Sequence, residues 1–343
     1  VLIFCLFTLP ARAQSPASQP ADPPIRRWLD VQTFTLYTRY RFTETSRDVT
    51  TTNQLQYKDS FRARFNIDPE KRYTVNFGYF SGNNFVGTWN NWGVGHGTDF
   101  DGHDNYMKQL YVSAEPVKGF TGEVGGLYLN RGDADEWTTY DEDGYLVGER
   151  ATVKRPKQLY LDEITVTRAA IGPQNTPNLA SRWDGFSNPN YTQVLGVKRL
   201  NPLVSGSFEY ERLVGGDVFR AAITLHFDKR SPISTVRWQE YRRTNLHAAW
   251  GGAIWAEGKV TRFARVQGGY VSVDRFYGGW NADRMQSGRR VFVSAAIPIY
   301  GPIAASLYAT QALDDTFTVP IARRFDAVIS YDVLAQLRQA HIF

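Results

Sequence analysis

Leu55–Ile67, LQYKDSFRARFNI, alternates between apolar and polar residues along most of its length. Its apolar face comprises Leu55, Tyr57, Phe61, Ala63, Phe65 and Ile67, and its polar face comprises Gln56, Lys58, Ser60, Arg62, Arg64 and Asn66. Alternate residues of a β-strand point to opposite sides of the sheet, so this period of two predicts a strand with one apolar and one basic face.

The same alternation recurs along the chain and predicts about fourteen strands, within a range of roughly twelve to sixteen. The predicted strands are Thr33–Thr43, Leu55–Ile67, Arg72–Ser81, Asn105–Glu115, Phe120–Asn130, Lys157–Arg168, Tyr191–Leu200, Gly206–Val214, Val218–Asp228, Thr244–Ala256, Lys259–Val273, Arg289–Ile299, Pro302–Leu313 and Ile321–Phe343. Tight turns and long loops alternate between most of them. Ala169–Asn190 breaks this alternation, so either one pair of strands is miscounted or this segment folds inward.

Composition favours a membrane barrel over a soluble sheet. Mean hydropathy is −0.39 and aromatic residues make up 14% of the chain. Barrel strands give a low mean hydropathy because only every second residue faces lipid. A soluble sandwich would need to cover both faces of its sheets, yet the second face here is repeatedly charged. The fold class we predict is therefore all-β: a transmembrane antiparallel up-and-down barrel with an even number of strands and long extracellular loops.

The last predicted strand alternates from Phe325 to Leu337 and ends on Phe343, with Gln339 and His341 on the same face as the terminal residue. A final strand that ends on an aromatic residue resembles that of bacterial outer-membrane β-barrels of the porin type. In that family the terminal Phe is an assembly signal. The resemblance implies a Gram-negative outer membrane, contact with its lipid and lipopolysaccharide, and handling by periplasmic chaperones and the barrel-assembly machinery. It leaves the choice between a homotrimer and a monomer open.

The N-terminus predicts export. Val1–Leu9 is apolar but too short to span a bilayer, and Ala11-Arg12-Ala13 follows as a small-x-small cleavage site. We assign residues 1–13 to a signal peptide, residues 14–30 to a disordered lead-in rich in Pro, Ala and Ser, and residues 31–343 to one barrel domain. The only cysteine is Cys5, so the mature chain is expected to contain no disulfide.

Placing the apolar faces against lipid leaves a charged lumen. The predicted basic pore-lining residues are Arg39, Arg41, Lys58, Arg62 and Arg64, and the acidic ones are Glu123, Glu209, Glu211, Asp326 and Asp332. Closing the barrel pairs the last strand with the first, which should bring Asp326 and Asp332 close to Arg39 and Arg41. Facing rows of opposite charge would order polar solutes and filter ions. Alternatively, these charges only pair with one another.

The Gly82–Asp104 loop is the candidate constriction or ligand loop. Trp89 and Trp92 could stack on a sugar, with Asp99 and Asp101 as polar partners, or the loop could fold inward and narrow the pore. A third possibility is a surface loop that neither binds a sugar nor narrows the pore. Asp99, Asp101, His103 and Asp104 are weak candidates for a calcium site, because spacing alone does not define one. No other cofactor is expected.

These features predict a channel for passive diffusion of small polar or anionic solutes. The first alternative is a closed barrel with an adhesive or structural role through its loops. The second is an outer-membrane hydrolase, for which His226 and His247 are the candidate bases. We expect no enzyme, since no hydrolase motif accompanies these histidines. The basic residues are dispersed, so no nucleic-acid partner is expected.

Overall fold

The computed structural model describes most of the chain from residue 27 to residue 340. The described ranges are 27–81, 90–96, 105–135, 146–155, 160–171, 179, 182–213, 216–228, 230–245, 248–261, 264–274, 288–314 and 321–340. The signal-peptide segment and the assembly-signal residue Phe343 lie outside these ranges.

The described chain is a single antiparallel sheet that closes on itself, because β1 pairs with both β2 and β17. The strands are β1 Leu29–Glu44, β2 Thr50–Asn66, β3 Tyr73–Ser81, β4 Asn90–His96, β5 Asn105–Val117, β6 Phe120–Leu127, β7 Leu146–Lys154, β8 Glu163–Ala170, β9 Tyr191–Asn201, β10 Val204–Leu213, β11 Gly216–His226, β12 Ile233–Arg243, β13 Ala249–Thr261, β14 Ala264–Val273, β15 Gly288–Tyr300, β16 Ile303–Ala312 and β17 Arg323–Asp332. The predicted closed up-and-down barrel is confirmed.

The wall has sixteen strand positions, because β3 and β4 pair with successive parts of β2 and share one position among the seventeen strands. This count is even and lies at the upper limit of the predicted range. The sequence prediction missed three of the described strands, β4, β7 and β12, which lie in segments expected to be loops. Because β4 shares a wall position with β3, only β7 and β12 add positions to the predicted fourteen. Adding β7 before Ala169–Asn190 moves this connection to the other end of the barrel, which is the end that carries the other long loops.

Polar side chains face the inside of the barrel and apolar side chains face outward. On β10, Phe208 is 58% exposed whereas its neighbour Glu209 is 3% exposed. On β1 and β2 the paired residues Arg39 and Gln56 are both buried. This distribution is the reverse of that in a soluble protein, and it is typical of a barrel whose outer wall contacts lipid. The backbone N–H and C=O groups of each wall strand form hydrogen bonds with the neighbouring strands, so none needs water inside the bilayer.

The chain leaves the wall earlier than the sequence predicts. β17 ends at Asp332, and Val333–Gln339 forms a short helix, α1. The Asp332 carboxylate accepts a hydrogen bond from the Ala335 backbone N–H at 2.9 Å, as a helix N-cap does. Leu334 is buried, and Arg338 donates to the Val31 carbonyl at 3.3 Å. The predicted strand is therefore wrong over Val333–Gln339, because the cap and the burial of Leu334 favour a helical turn.

No helix in the described part of the chain is long and apolar enough to cross a bilayer. The Trp183–Ser187 segment is a 3₁₀ helix that lies against the outer face of β7 and β8. A Cβ built on Gly185 would lie 2.9 Å from the Ala170 Cβ. This part of Ala169–Asn190 is therefore outside the lumen, and the miscounted pair of strands explains the broken alternation.

Candidate functional site

The largest group of inward charges lies where β17 meets β1. The Asp326 carboxylate contacts three guanidinium groups: Arg324 Nη2 at 2.6 Å, Arg41 Nε at 3.0 Å and Arg39 Nη1 at 3.9 Å. Arg39 also donates from Nη2 to Gln56 Oε1 at 2.6 Å. Among the described residues, this group therefore combines three guanidinium groups with one carboxylate. Strand pairing places Asp326 opposite Arg41, as the sequence predicts.

Asp332 departs from the pore-lining prediction. Its carboxylate caps α1 at the end of the barrel, where the side chain is exposed. Asp332 lies on the same side of β17 as the inward-facing Val328, at the residue where the strand ends and the helix begins. It therefore does not reach the arginine cluster, and Asp326 is the carboxylate there among the described residues.

Other basic residues continue along the inner wall from this cluster. The Lys58 Nζ lies 5.5 Å from the centre of the Tyr37 ring, and Arg62 Cζ lies 5.2 Å from that of Phe80. Arg64 lies near the end of β2 and pairs with Asp30 at 2.6 Å. Aromatic faces hold cations without cancelling their charge, so Lys58 and Arg62 add to the positive wall.

Glu209 and Glu211 lie on the opposite wall. Both pair with Arg220, with Glu211 Oε2 at 3.5 Å from its Nη1, and Gln193 Nε2 donates to Glu209 Oε1 at 2.6 Å. Among the described residues, carboxylates outnumber guanidinium groups in this group by two to one. In the strand order, β10 is eight positions from β1 in either direction. The negative group therefore faces the arginine cluster across the lumen.

Glu123 forms a separate buried pair. Arg150 Nη1 lies 3.2 Å from Glu123 Oε2, and Arg150 Cζ lies 4.5 Å from the centre of the Tyr128 ring. Arg150 and Tyr128 were not predicted from the sequence. Since β7 was missed, Arg150 had been assigned to a loop.

The connection after β6 folds into the lumen along residues 128–135. Gln193 Nε2 donates to the Asn130 carbonyl at 2.6 Å, Asp133 N donates to Ser207 Oγ at 2.9 Å, and Asp135 N donates to Gln239 Oε1 at 2.8 Å. These partners lie on β9, β10 and β12. The described part of this connection therefore follows the inner wall and narrows the barrel.

Gly132 allows this close approach. Its φ is +59°, and a Cβ at this position would lie 2.8 Å from the Ser207 Cβ. Both the left-handed backbone and the lack of space favour glycine. The sequence prediction had assigned an inward fold to the Gly82–Asp104 loop as one alternative. Trp89, Asp99, Asp101, His103 and Asp104 lie outside the described residues, and only the backbone of Trp92 is described, within β4.

Apolar side chains fill part of the lumen along β11 to β15. Val218, Tyr241, Trp255, Val271 and Phe292 form one buried cluster. They alternate with outward residues on β11 to β15, so they point inward. These packed apolar groups occupy space inside the barrel along β11 to β15.

A cavity of about 380 Å³ lies on the basic side. It is bordered by Gln32, Arg62, Gln109, Tyr111, Tyr128, Leu129 and Arg131. These residues come from β1, β2, β5 and the start of the inward connection. The cavity therefore lies between the basic wall and the constricting segment.

One serine–histidine contact bears on the hydrolase alternative. Ser205 Oγ lies 3.1 Å from His226 Nε2 and 3.1 Å from Asp133 Oδ1. Catalytic triads place the histidine between the acid and the serine, whereas here the serine is in the middle. His247 lies outside the described residues. Within those residues, His, Cys, Asp and Glu form no group of three able to hold a metal ion.

No protein-family model matches this chain, and no curated protein matches its sequence. Solved structures do resemble it. Salmonella typhi OmpF, in a complex with daunomycin, is 11% identical with a TM-score of 0.59, over 88% of this chain and 97% of that one. A mutant of Rh. blastica porin is 9% identical with a TM-score of 0.56, over 89% and 99%. At such low identity, these similarities establish that the fold is that of bacterial porins.

Proposed function

We propose that this chain is a porin-type channel of the bacterial outer membrane, which lets small polar solutes diffuse passively and prefers anions. The observation that carries this proposal is the cavity between the basic wall and the inward segment, where polar groups line an open space. Barrels of sixteen strands are wide enough to enclose an aqueous channel. The outward apolar residues support a location in lipid, and the porin fold of the neighbours supports the outer membrane.

The balance of inward charge supports the anion preference. Among the described residues, the group around Asp326 combines three arginines with one carboxylate and the group around Arg220 combines one arginine with two carboxylates, and Lys58 and Arg62 lie on the same side as Asp326. A positive lining lowers the energy of an anion in the channel and raises that of a cation. Unequal rows of charge also produce a field across the lumen, which orients dipolar solutes.

The inward segment and the apolar cluster support a limit on solute size. The segment of residues 128–135 occupies space along β9 to β12, and the cluster around Trp255 occupies space along β11 to β15. The remaining path follows β1, β2 and β5. We propose that small solutes use this path, and that lipid, lipopolysaccharide and a second copy of the chain are neighbours of the outer wall.

Reconstitution into planar bilayers tests this proposal. The purified protein should give discrete conductance steps, and a salt gradient should give a reversal potential of the sign that anion preference requires. A folded protein that is silent under these conditions would favour the closed-barrel alternative, with a role for the loops in adhesion.

The hydrolase alternative rests on the Ser205–His226 contact alone. Serine has one hydroxyl proton, and donating it to Asp133 requires His226 to offer an N–H instead of a lone pair. His226 then cannot act as the base. Esterase assays with short-chain ester substrates in detergent should therefore show no activity that is lost in His226→Ala.

A further inference from the structure

Two arginines of the cavity wall lack an acidic partner. Arg62 lies on β2 and Arg131 on the inward segment, and both border the cavity of about 380 Å³. Among the described residues, no carboxylate lies within 4.0 Å of either guanidinium group, although thirteen other arginines each have such a contact within that distance. The Nε atom of each is buried without a hydrogen-bond acceptor.

The nearby carboxylates are engaged elsewhere. Glu123 pairs with Arg150 at 3.2 Å, Asp133 Oδ1 accepts from Ser205 at 3.1 Å, and Asp135 pairs with Arg237 at 3.6 Å. The two arginines therefore keep their charge next to the cavity. A buried cation is costly unless an anion or hydrogen-bond acceptors compensate it, so the cavity is suited to an anionic ligand.

The remaining lining can complete a binding site for oxygen anions. Gln32 and Gln109 provide amide N–H donors, and Tyr111 and Tyr128 provide hydroxyl donors. Guanidinium groups bind carboxylate and phosphate through paired N–H donors. A water molecule occupies about 30 Å³ in the liquid, so the cavity volume corresponds to roughly a dozen waters. This is enough for a small organic dianion.

We propose that Arg62 and Arg131 form a binding subsite for small anions that carry carboxylate or phosphate groups. The subsite rests on the proposed channel function and gives it a substrate class. Solutes would pass by way of a saturable site and not by free diffusion alone. Flux of such an anion should therefore level off with concentration, whereas chloride flux should remain proportional to it.

Two probes separate the carboxylate from the phosphate source: succinate and inorganic phosphate. Isothermal titration calorimetry on the full-length protein in detergent measures their binding without any need for conduction. Saturable binding of either probe supports the subsite, and the tighter of the two identifies the preferred group. Each of Arg62→Gln and Arg131→Gln should weaken that binding roughly tenfold or more, since each removes charge-assisted hydrogen bonds.

Arg72→Gln is the matched control. Arg72 lies in the turn before β3, is half exposed and pairs with Asp68 at 3.4 Å, so its loss should leave binding unchanged. No saturable binding of either probe, or equal binding by all three variants and the original protein, would overturn the subsite. Bilayer conductance in the same preparations separates the two proposals: binding without conductance would refute the channel alone, and conductance without binding would refute the subsite alone.

Discussion

Replacement of Asp326 by asparagine tests the charge arrangement most fully. Asp326 is the only carboxylate that contacts Arg39, Arg41 and Arg324 among the described residues, at 3.9, 3.0 and 2.6 Å. Asn keeps the shape of the side chain but removes its charge, which leaves three buried cations together. Loss of one member of a buried ion pair costs about 3–5 kcal/mol of unfolding free energy. We therefore expect Asp326→Asn to unfold at a clearly lower temperature in detergent.

The same change should increase anion preference. The substitution raises the net charge of the group by one unit, because Asp326 contacts three arginines and Asn carries no charge. One unit charge at roughly 10 Å in water shifts the energy of a permeating ion by about 0.4 kcal/mol, and screening at 0.1 M salt reduces this to about 0.15 kcal/mol. Anions and cations shift in opposite directions. The ratio of anion to cation permeability should thus rise by a factor between about 1.5 and about 4.

The assay is the reversal potential of reconstituted channels under a salt gradient. Asp314→Asn is the matched control, because Asp314 lies just beyond β16 and pairs at 2.6 Å with the exposed side chain of Arg289, and it contacts none of Arg39, Arg41 and Arg324. The control should leave the permeability ratio unchanged. Folding of each variant is checked by heat-dependent migration on gels. An unchanged ratio in folded Asp326→Asn would refute the placement of this group along the ion path.

Three further variants probe separate parts of the structure. Gly132→Val should displace the inward segment from Ser207, because its Cβ has no space, and single-channel recordings should show a changed conductance; an unchanged value would mean that this segment does not limit flow. Asp332→Ala removes the N-cap of α1 and should cost about 1 kcal/mol in unfolding free energy, with conductance unaltered. A hydrogen bond from the Arg199 backbone lowers the pKa of Asp162, so this carboxylate stabilises the fold above about pH 4 and the effect is lost as pH falls through its lower folded pKa. Between about pH 4 and pH 2, the unfolding temperature of Asp162→Asn should accordingly fall by less than that of the original protein. An equal fall in both proteins would contradict this contribution of Asp162.

The sequence predicts the barrel and the facing of its first strands because their alternation is nearly uninterrupted. It misses β7 and β12 for a physical reason. β7 places Glu149 on its outer face, where it pairs with Arg168 at 3.4 Å, and β12 places Glu240 and Arg242 on its outer face. Charges on both faces near the loop end hide the period of two.

The alternation of apolar residues also misassigns the segment that follows Asp332. The apolar residues Val333, Ala335 and Leu337 continue the alternation of β17, yet the segment is helical and buries Leu334 instead. Short apolar runs do not distinguish strand from helix by period alone. Asp332 before this run is the helix-start signal that could have been recognised.

The constriction could not be predicted from local sequence. Residues 128–135 turn inward because their backbone bonds to Gln193, Ser207 and Gln239, which lie 63 to 104 residues away in the chain. Gly132 is a local signal for an unusual backbone, but it does not indicate the direction of the loop. The subsite at Arg62 and Arg131 depends on the same fold, since it brings together a strand and a loop.

The central claim, that this barrel is an anion-preferring channel, is tested most directly by the reversal potential of the reconstituted protein in a salt gradient. We predict discrete conductance steps and a reversal potential displaced toward the equilibrium potential of chloride. A folded barrel that gives no steps, or one whose reversal potential lies toward that of the cation, would contradict the account.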